Sequence, residues 1–128
     1  MIYVDSSVAL AQLLYEERIP EPRFWHQALI SSRLLVYEVW TRLHALGRGS
    51  SHSVETEMLL GRVALLELGP DILARALDPF PIPVRTLDAL HLASLVFVSE
   101  RQGPVSLASY DRRLLAAADA VGIPAFAP

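Results

Sequence analysis

Short runs of apolar, β-prone residues alternate along the chain with longer segments whose apolar positions recur at helical spacing. Residues 1–4 form such a run, stopped by Asp5, and Ser6-Ser7 offer caps for a helix through about Tyr15. Pro20 and Pro22 interrupt the pattern before a short helix over 24–29, and Leu29-Ile30 opens a strand that reaches Ser31 and Ser32. Leu35, Val39, Leu43 and Leu46 share one face of a helix beginning near Arg33, which Gly47 and Gly49 stop. The segment from Ser53 to about Arg62 is predicted helical with Val54, Met58 and Leu59 turned inward, and 63–68 then reads as a short buried strand. Gly69-Pro70-Asp71 opens a helix that runs to Leu77, before a rigid connection marked by the prolines at 79, 81 and 83. Thr86 caps a helix through Leu90, Leu92, Ala93 and Leu95 to about Val98, closed by Gln102-Gly103-Pro104. A strand over 105–108 and a helix from Asp111 to about Val121 follow; Gly122 ends that helix, and 124–127 is a last short strand at most.

Strands joined through helices predict an α/β domain in three α/β/α layers, with a central parallel sheet and right-handed crossovers. The 128 residues fit one domain, 1–128, with no repeat, low-complexity tract or linker. Composition then narrows the function. With 52% hydrophobic and 20% charged residues the chain is expected to fold around a substantial core. A formal net charge of -3 provides no global basic field for indiscriminate nucleic-acid coating, although a local basic patch is compatible with it. The absence of cysteine excludes a disulfide framework, a thiolate metal site and a cysteine nucleophile, and it fits a reducing cytosol. All 11 Lys and Arg positions are arginine, which disfavours a P-loop, a Schiff base and a receiver-type phosphorylation site. Asp5, Glu16 and Glu17 break up any export signal, and no apolar stretch approaches the ~20 residues of a membrane helix, so a soluble protein is expected.

In parallel sheets of this kind the functional crevice lies beyond the carboxyl ends of the strands, where strand order reverses. Asp5 follows the first strand, Asp111 lies two residues past Ser109 after a late strand, and Asp88 sits in the first turn of a helix. Glu38 falls early in the helix that follows Ser31-Ser32, so all four acids are predicted to converge on one edge. Carboxylates crowded in this way raise one another's pKa unless a cation compensates them, and oxygen-only ligands point to magnesium or manganese. Plainer readings stand beside this one. Asp88 and Asp111 could serve helix N-termini, and Glu38 could pair with Arg42 on a solvated face. A charge at Asp5, directly after a buried strand, requires a cleft or a cap. Ser6, Ser7 and Ser109 read as caps first and as ligand-shell hydroxyls second. His91, one turn after Asp88, reads as a hydrogen-bonded packing histidine, while His26, His44 and His52 share no zinc-site spacing. Trp25 and Trp40 read as core or interface anchors, and Arg112 and Arg113 either contact RNA phosphate or solvate a helix start.

Four segments carry a family resemblance: Ile2-Tyr3-Val4-Asp5-Ser6-Ser7, Val36-Tyr37-Glu38-Val39, Leu87-Asp88-Ala89-Leu90-His91-Leu92-Ala93 and Ser109-Tyr110-Asp111-Arg112-Arg113-Leu114. In order and spacing they resemble a PIN domain, specifically a VapC-type toxin of a type II toxin–antitoxin pair. The likeness spans the whole chain and is thin between about Arg48 and Pro83, where only general helical character agrees. It implies a magnesium- or manganese-dependent endoribonuclease with Asp5, Glu38, Asp88 and Asp111 as its acidic quartet. Ser109 stands where the family usually has threonine, which keeps the hydroxyl. On that reading Asp5, Asp88 and Asp111 hold the metal, directly or through water, and Glu38 orients or deprotonates the attacking water, with roles that could exchange. The resemblance also implies a cognate VapB-type antitoxin as partner and a homodimer; apolar residues in excess of one core put the expected dimer surface near Leu13, Leu14 and Trp40, and the cysteine-free composition fits a cytoplasmic protein. Two other readings compete. One is a different Mg-dependent α/β phosphohydrolase, such as a haloacid-dehalogenase-type phosphatase, which wants a second Asp where this chain has Ser7. The other is a catalytically inactive PIN-like module that binds protein or RNA. No motif encodes which RNA would be cut.

Overall fold

The computed structural model describes residues 1–128. Strand β1 (Ile2–Val4) leads into helix α1 (Ser6–Leu14), a 3₁₀ turn at Pro22–His26, β2 (Leu29–Ser32), α2 (Leu34–Ala45) and α3 (Ser53–Leu60). Then come β3 (Ala64–Leu66), α4 (Pro70–Leu77), α5 (Thr86–Arg101), β4 (Ser106–Ala108) and α6 (Arg112–Ala120). The strands pair in the order β3-β2-β1-β4, all parallel, as the sequence pattern predicts. Chain order reverses at β1, whose two neighbours are β2 on one side and β4 on the other. A crevice therefore opens beyond Val4 and Ala108, the last residues of the two adjacent strands.

Because successive strand residues point to opposite faces, each strand contributes to two cores. Ile2, Val4, Leu29 and Ala108 pack with Val8 and Leu13 of α1, Leu35, Val39 and Leu43 of α2, and Leu59 and Leu60 of α3. Tyr3, Ile30 and Leu107 pack instead with Leu92, Leu95 and Val98 of α5 and with Leu114, Ala117 and Ala118 of α6. Three layers result, with α4 lying against α5. None of the helices is long and apolar enough to cross a membrane.

Several local expectations are corrected. The segment near 24–29 is the 3₁₀ turn Pro22–His26, since Gln27 is already extended. In α3, Val54 and Met58 are exposed at 65% and 64%, whereas Thr56, Leu59 and Leu60 face inward at i, i+3 and i+4. The buried Thr56 hydroxyl is satisfied by donating to the His52 carbonyl at 2.7 Å. β3 is an edge strand and only partly covered, rather than buried. Arg85, not Thr86, occupies the N-cap position of α5, and no side chain caps that helix. The last apolar segment contributes a single bridge, Leu107 to Ala125. Leu13 is buried, and Leu14 and Trp40 are partly buried against the first core. Gly47 and Gly122 do end their helices with positive φ, 68° and 82°.

Candidate active site

Asp5 leaves β1 in extended conformation and caps α1. Its backbone N–H donates to the carbonyl of Ala108 at 3.0 Å, which ties it to the end of β4. The carboxylate is 6% exposed, and its Oδ2 accepts the Ser7 hydroxyl at 2.6 Å and the Ser109 hydroxyl at 2.7 Å. Those two hydroxyls accept in turn the backbone N–H of Tyr110 and of Asp111, each at 2.9 Å. Each serine has one proton, and Asp5 takes both, so the 3.3 Å approach of Ser7 Oγ to Ser109 Oγ is not a third hydrogen bond. Oδ1 of Asp5 receives no hydrogen bond, and no side-chain polar atom of the protein is both sealed and unpartnered. Oδ1 therefore opens to the crevice.

Asp111 is the N-cap of α6 through Oδ1, which accepts from Arg113 N at 2.9 Å and Leu114 N at 3.4 Å. Ser109 thus links it to Asp5 through one side chain. Asp88, in the first turn of α5, is half-buried, and burial pushes its carboxyl above the ordinary aspartate range. The charge of Asp111 pushes it further up, His91 pulls the other way, and Asp5 and Arg85 add weaker pushes up and down respectively. These effects on Asp88 place Asp5, Asp88 and Asp111 within one electrostatic neighbourhood. Glu38 joins them from α2, its Oε2 accepting from the Ser6 hydroxyl at 3.5 Å and its Oε1 lying 2.5 Å from His91 Nε2. It makes that pair in place of the alternative with Arg42. His91 is the hydrogen-bonded core histidine that its apolar neighbours predict, 1% exposed, with Nδ1 2.7 Å from the Tyr3 hydroxyl.

The structure thus gathers all four acids at the carboxyl edge of the sheet. No three His, Asp or Glu side chains stand close enough together to enclose an ion as they are placed. The donor chemistry nevertheless fits a hard divalent cation. Asp5 Oδ1 is an acceptor with no donor, and the Asp88 carboxyl lies within reach of the charges of Asp5 and Asp111. A cavity of about 520 Å³ beside Asp88 is lined by Arg85, Arg113, Ala116 and the 82–84 segment. Arg113 is thereby placed where an anion could approach the acids, whereas Arg112 is exposed at the start of α6 and does not line that cavity. Arg85 was not singled out by the sequence; its only signal was its position just before the Thr86-Leu87-Asp88 helix start. Ser6, Ser7 and Ser109 are not the caps the sequence suggests, since Asp5 caps α1 and Asp111 caps α6; their hydroxyls donate to the acids instead. A separate cavity of about 460 Å³, lined in part by Trp25, Tyr15 and Met58, contains none of the four acids.

A family model described as "PIN domain" matches residues 2–121. No curated protein matches the chain significantly. Among solved structures, the crystal structure of VapC20 from Mycobacterium tuberculosis, described as a toxin cleaving the sarcin-ricin loop, is similar. It superposes with a TM-score of 0.68 at 18% identity, covering 100% of both chains.

Proposed function

The chain belongs to the PIN domain family, and from that premise we propose that it is a divalent-metal-dependent endoribonuclease, a VapC-type toxin silenced by a cognate VapB-type antitoxin. The observation that carries the reading is the Asp5 carboxylate at the strand-order reversal: buried, held through Oδ2 by two serines, and open at Oδ1 beside Asp88 and Asp111. A carboxylate serving only as a helix cap has no need of a crevice shared with other acids.

Asp5, Asp88 and Asp111 would hold magnesium or manganese. Bound there, the ion supplies positive charge that activates water and offsets charge developing on the scissile phosphate. The chain's own residues supply the rest. Ser7 and Ser109 keep Asp5 fixed, so its open oxygen is pre-oriented. Glu38, with Oε1 engaged by His91, offers Oε2 to orient the attacking water and receive its proton. Arg85 and Arg113 stand where they can pair with phosphate oxygens of the bound strand. The water oxygen bonds to phosphorus as a P–O bond of the backbone breaks; the leaving oxygen takes a proton from solvent water, and Glu38 returns its own to solvent. The protein is taken to work in the cytoplasm, as a homodimer when free of its antitoxin; the mass in solution by light scattering checks the latter. A basic segment of the antitoxin would enter the acidic crevice and neutralise it, so charge reversal at Asp88 should abolish that complex.

The test is incubation of the purified protein with total cellular RNA and with a sarcin-ricin loop oligonucleotide, in magnesium, in manganese and in EDTA, beside Asp5→Ala. Discrete metal-dependent fragments that vanish in the variant are expected, and sequencing their ends names the substrate. No cleavage by folded, antitoxin-free protein in any metal would favour the binding-module alternative.

A further inference from the structure

A hydrogen-bonded line runs from the core into the crevice through three different elements. Tyr3 lies on β1 and is fully buried, His91 lies on α5 and is 1% exposed, and Glu38 on α2 has a side chain 21% exposed. The line therefore begins in the packed interior and ends at a crevice acid. His91 Nε2 is 2.5 Å from Glu38 Oε1, and a carboxylate only accepts, so Nε2 carries hydrogen toward Glu38. Nδ1 is left to the Tyr3 hydroxyl at 2.7 Å, which also accepts the backbone N–H of Ser32 at 3.2 Å. Through Ser32 the phenol is fastened to the carboxyl end of β2, and the imidazole is fixed edge-on to it, with the ring planes at 87°.

Glutamate has three rotatable side-chain bonds, and a partly exposed one samples many rotamers unless something holds it. The Ser6 contact at 3.5 Å is too long to do so alone. A histidine present only for packing would need no partner at its second nitrogen that leads out of the core. We infer that His91, seated on Tyr3, is a positioning residue that fixes the Glu38 carboxylate and turns Oε2 toward the crevice. It does not touch the substrate. The inference rests on the nuclease reading for its catalytic consequence, while the contact itself can be measured without any activity.

The first measurement is a long-range proton–nitrogen correlation spectrum of the four imidazoles in the full chain. One ring is expected with a persistent Nε2–H, assigned to His91 by its loss in His91→Gln. That signal should shift in Glu38→Gln and in Tyr3→Phe while the other three rings stay put. The second measurement is steady-state cleavage of an RNA oligonucleotide carrying the mapped scissile bond. His91→Leu should lower kcat about 10- to 100-fold with little change in KM. His91→Gln, whose amide N–H points the same way, should recover most of that loss, and Tyr3→Phe, which keeps the ring packing, should fall between. An imidazole signal indifferent to Glu38→Gln overturns the proposal, as does a folded His91→Leu, or Tyr3→Phe should His91→Leu not fold, with unchanged kcat. If wild-type protein cuts no RNA, the nuclease reading fails and the catalytic role with it, while the spectrum still decides whether His91 holds Glu38.

Discussion

At the scale of single residues, the acids of the crevice differ in what already engages them. Asp5 is saturated at one oxygen and open at the other, Asp111 spends one oxygen on a cap, and Glu38 spends one on His91. His91 shows how such contacts translate into pH dependence. Burial by itself would pull its pKa below 6.5, but the Glu38 hydrogen bond and charge, with Asp5 and Asp88 behind them, outweigh burial and raise it. A histidine raised in this way stabilises the fold fully below its unfolded-state value and loses that contribution as pH climbs through the folded one. The Tm advantage of wild type over His91→Gln is therefore expected to be largest below pH 6.5 and to shrink above it, read by calorimetry in EDTA. An advantage that does not vary with pH would show that the pair carries no charge. The positions of Asp5, Glu38, Asp88 and Asp111 near strand and helix ends were legible in the chain, as was a hydrogen-bonded packing histidine at His91. Their partners were not legible, because Tyr3 and His91 are 88 residues apart and Ser109 and Asp5 are 104 apart. Nothing in local spacing reports such contacts.

At the scale of elements, two of the acids hold helices as well as the crevice. Asp111 starts α6, its carboxylate accepting two backbone N–H groups that would otherwise lack partners. The two roles separate by substitution. Asp111→Asn keeps an acceptor for the cap but removes the charge, so it should leave Tm nearly unchanged and abolish cleavage. Asp111→Ala loses both and should cost about 1 kcal/mol of stability as well. Equal destabilisation by the two variants in urea titration would deny the cap its role. Helix starts and stops were readable here because Pro, Gly, Asp and Ser act through their own backbone and nearest neighbours. The inward face of α3 was misread because several apolar residues, Val54, Met58, Leu59 and Leu60, surround the helix, leaving periodicity without a decisive direction. Packing against α1 chose the Thr56–Leu59–Leu60 side.

At the scale of the whole molecule, a metal bound to the crevice must stabilise the folded state, since the unfolded chain has no such arrangement of oxygens. Magnesium or manganese at about 100 times its Kd should add about 2.7 kcal/mol, and Asp5→Ala should abolish the accompanying rise in Tm. An equal rise in both proteins would mean that the ion binds elsewhere. The α/β/α class, the helix and strand order, and the four acids at strand and helix ends followed from the sequence alone, because periodicity and capping are local and the strand-end rule needs only topology. Folding decided the rest: that β3 is an edge, that Leu14 and Trp40 lie partly buried against the first core, that Arg85 and Arg113 flank Asp88, and that Glu38 chooses His91 over Arg42. The first three follow from strand order and from packing within a layer, and the last from two layers meeting across the end of the sheet. That meeting is fixed by the sum of many packing contacts and by strand order, neither of which any short stretch of sequence contains.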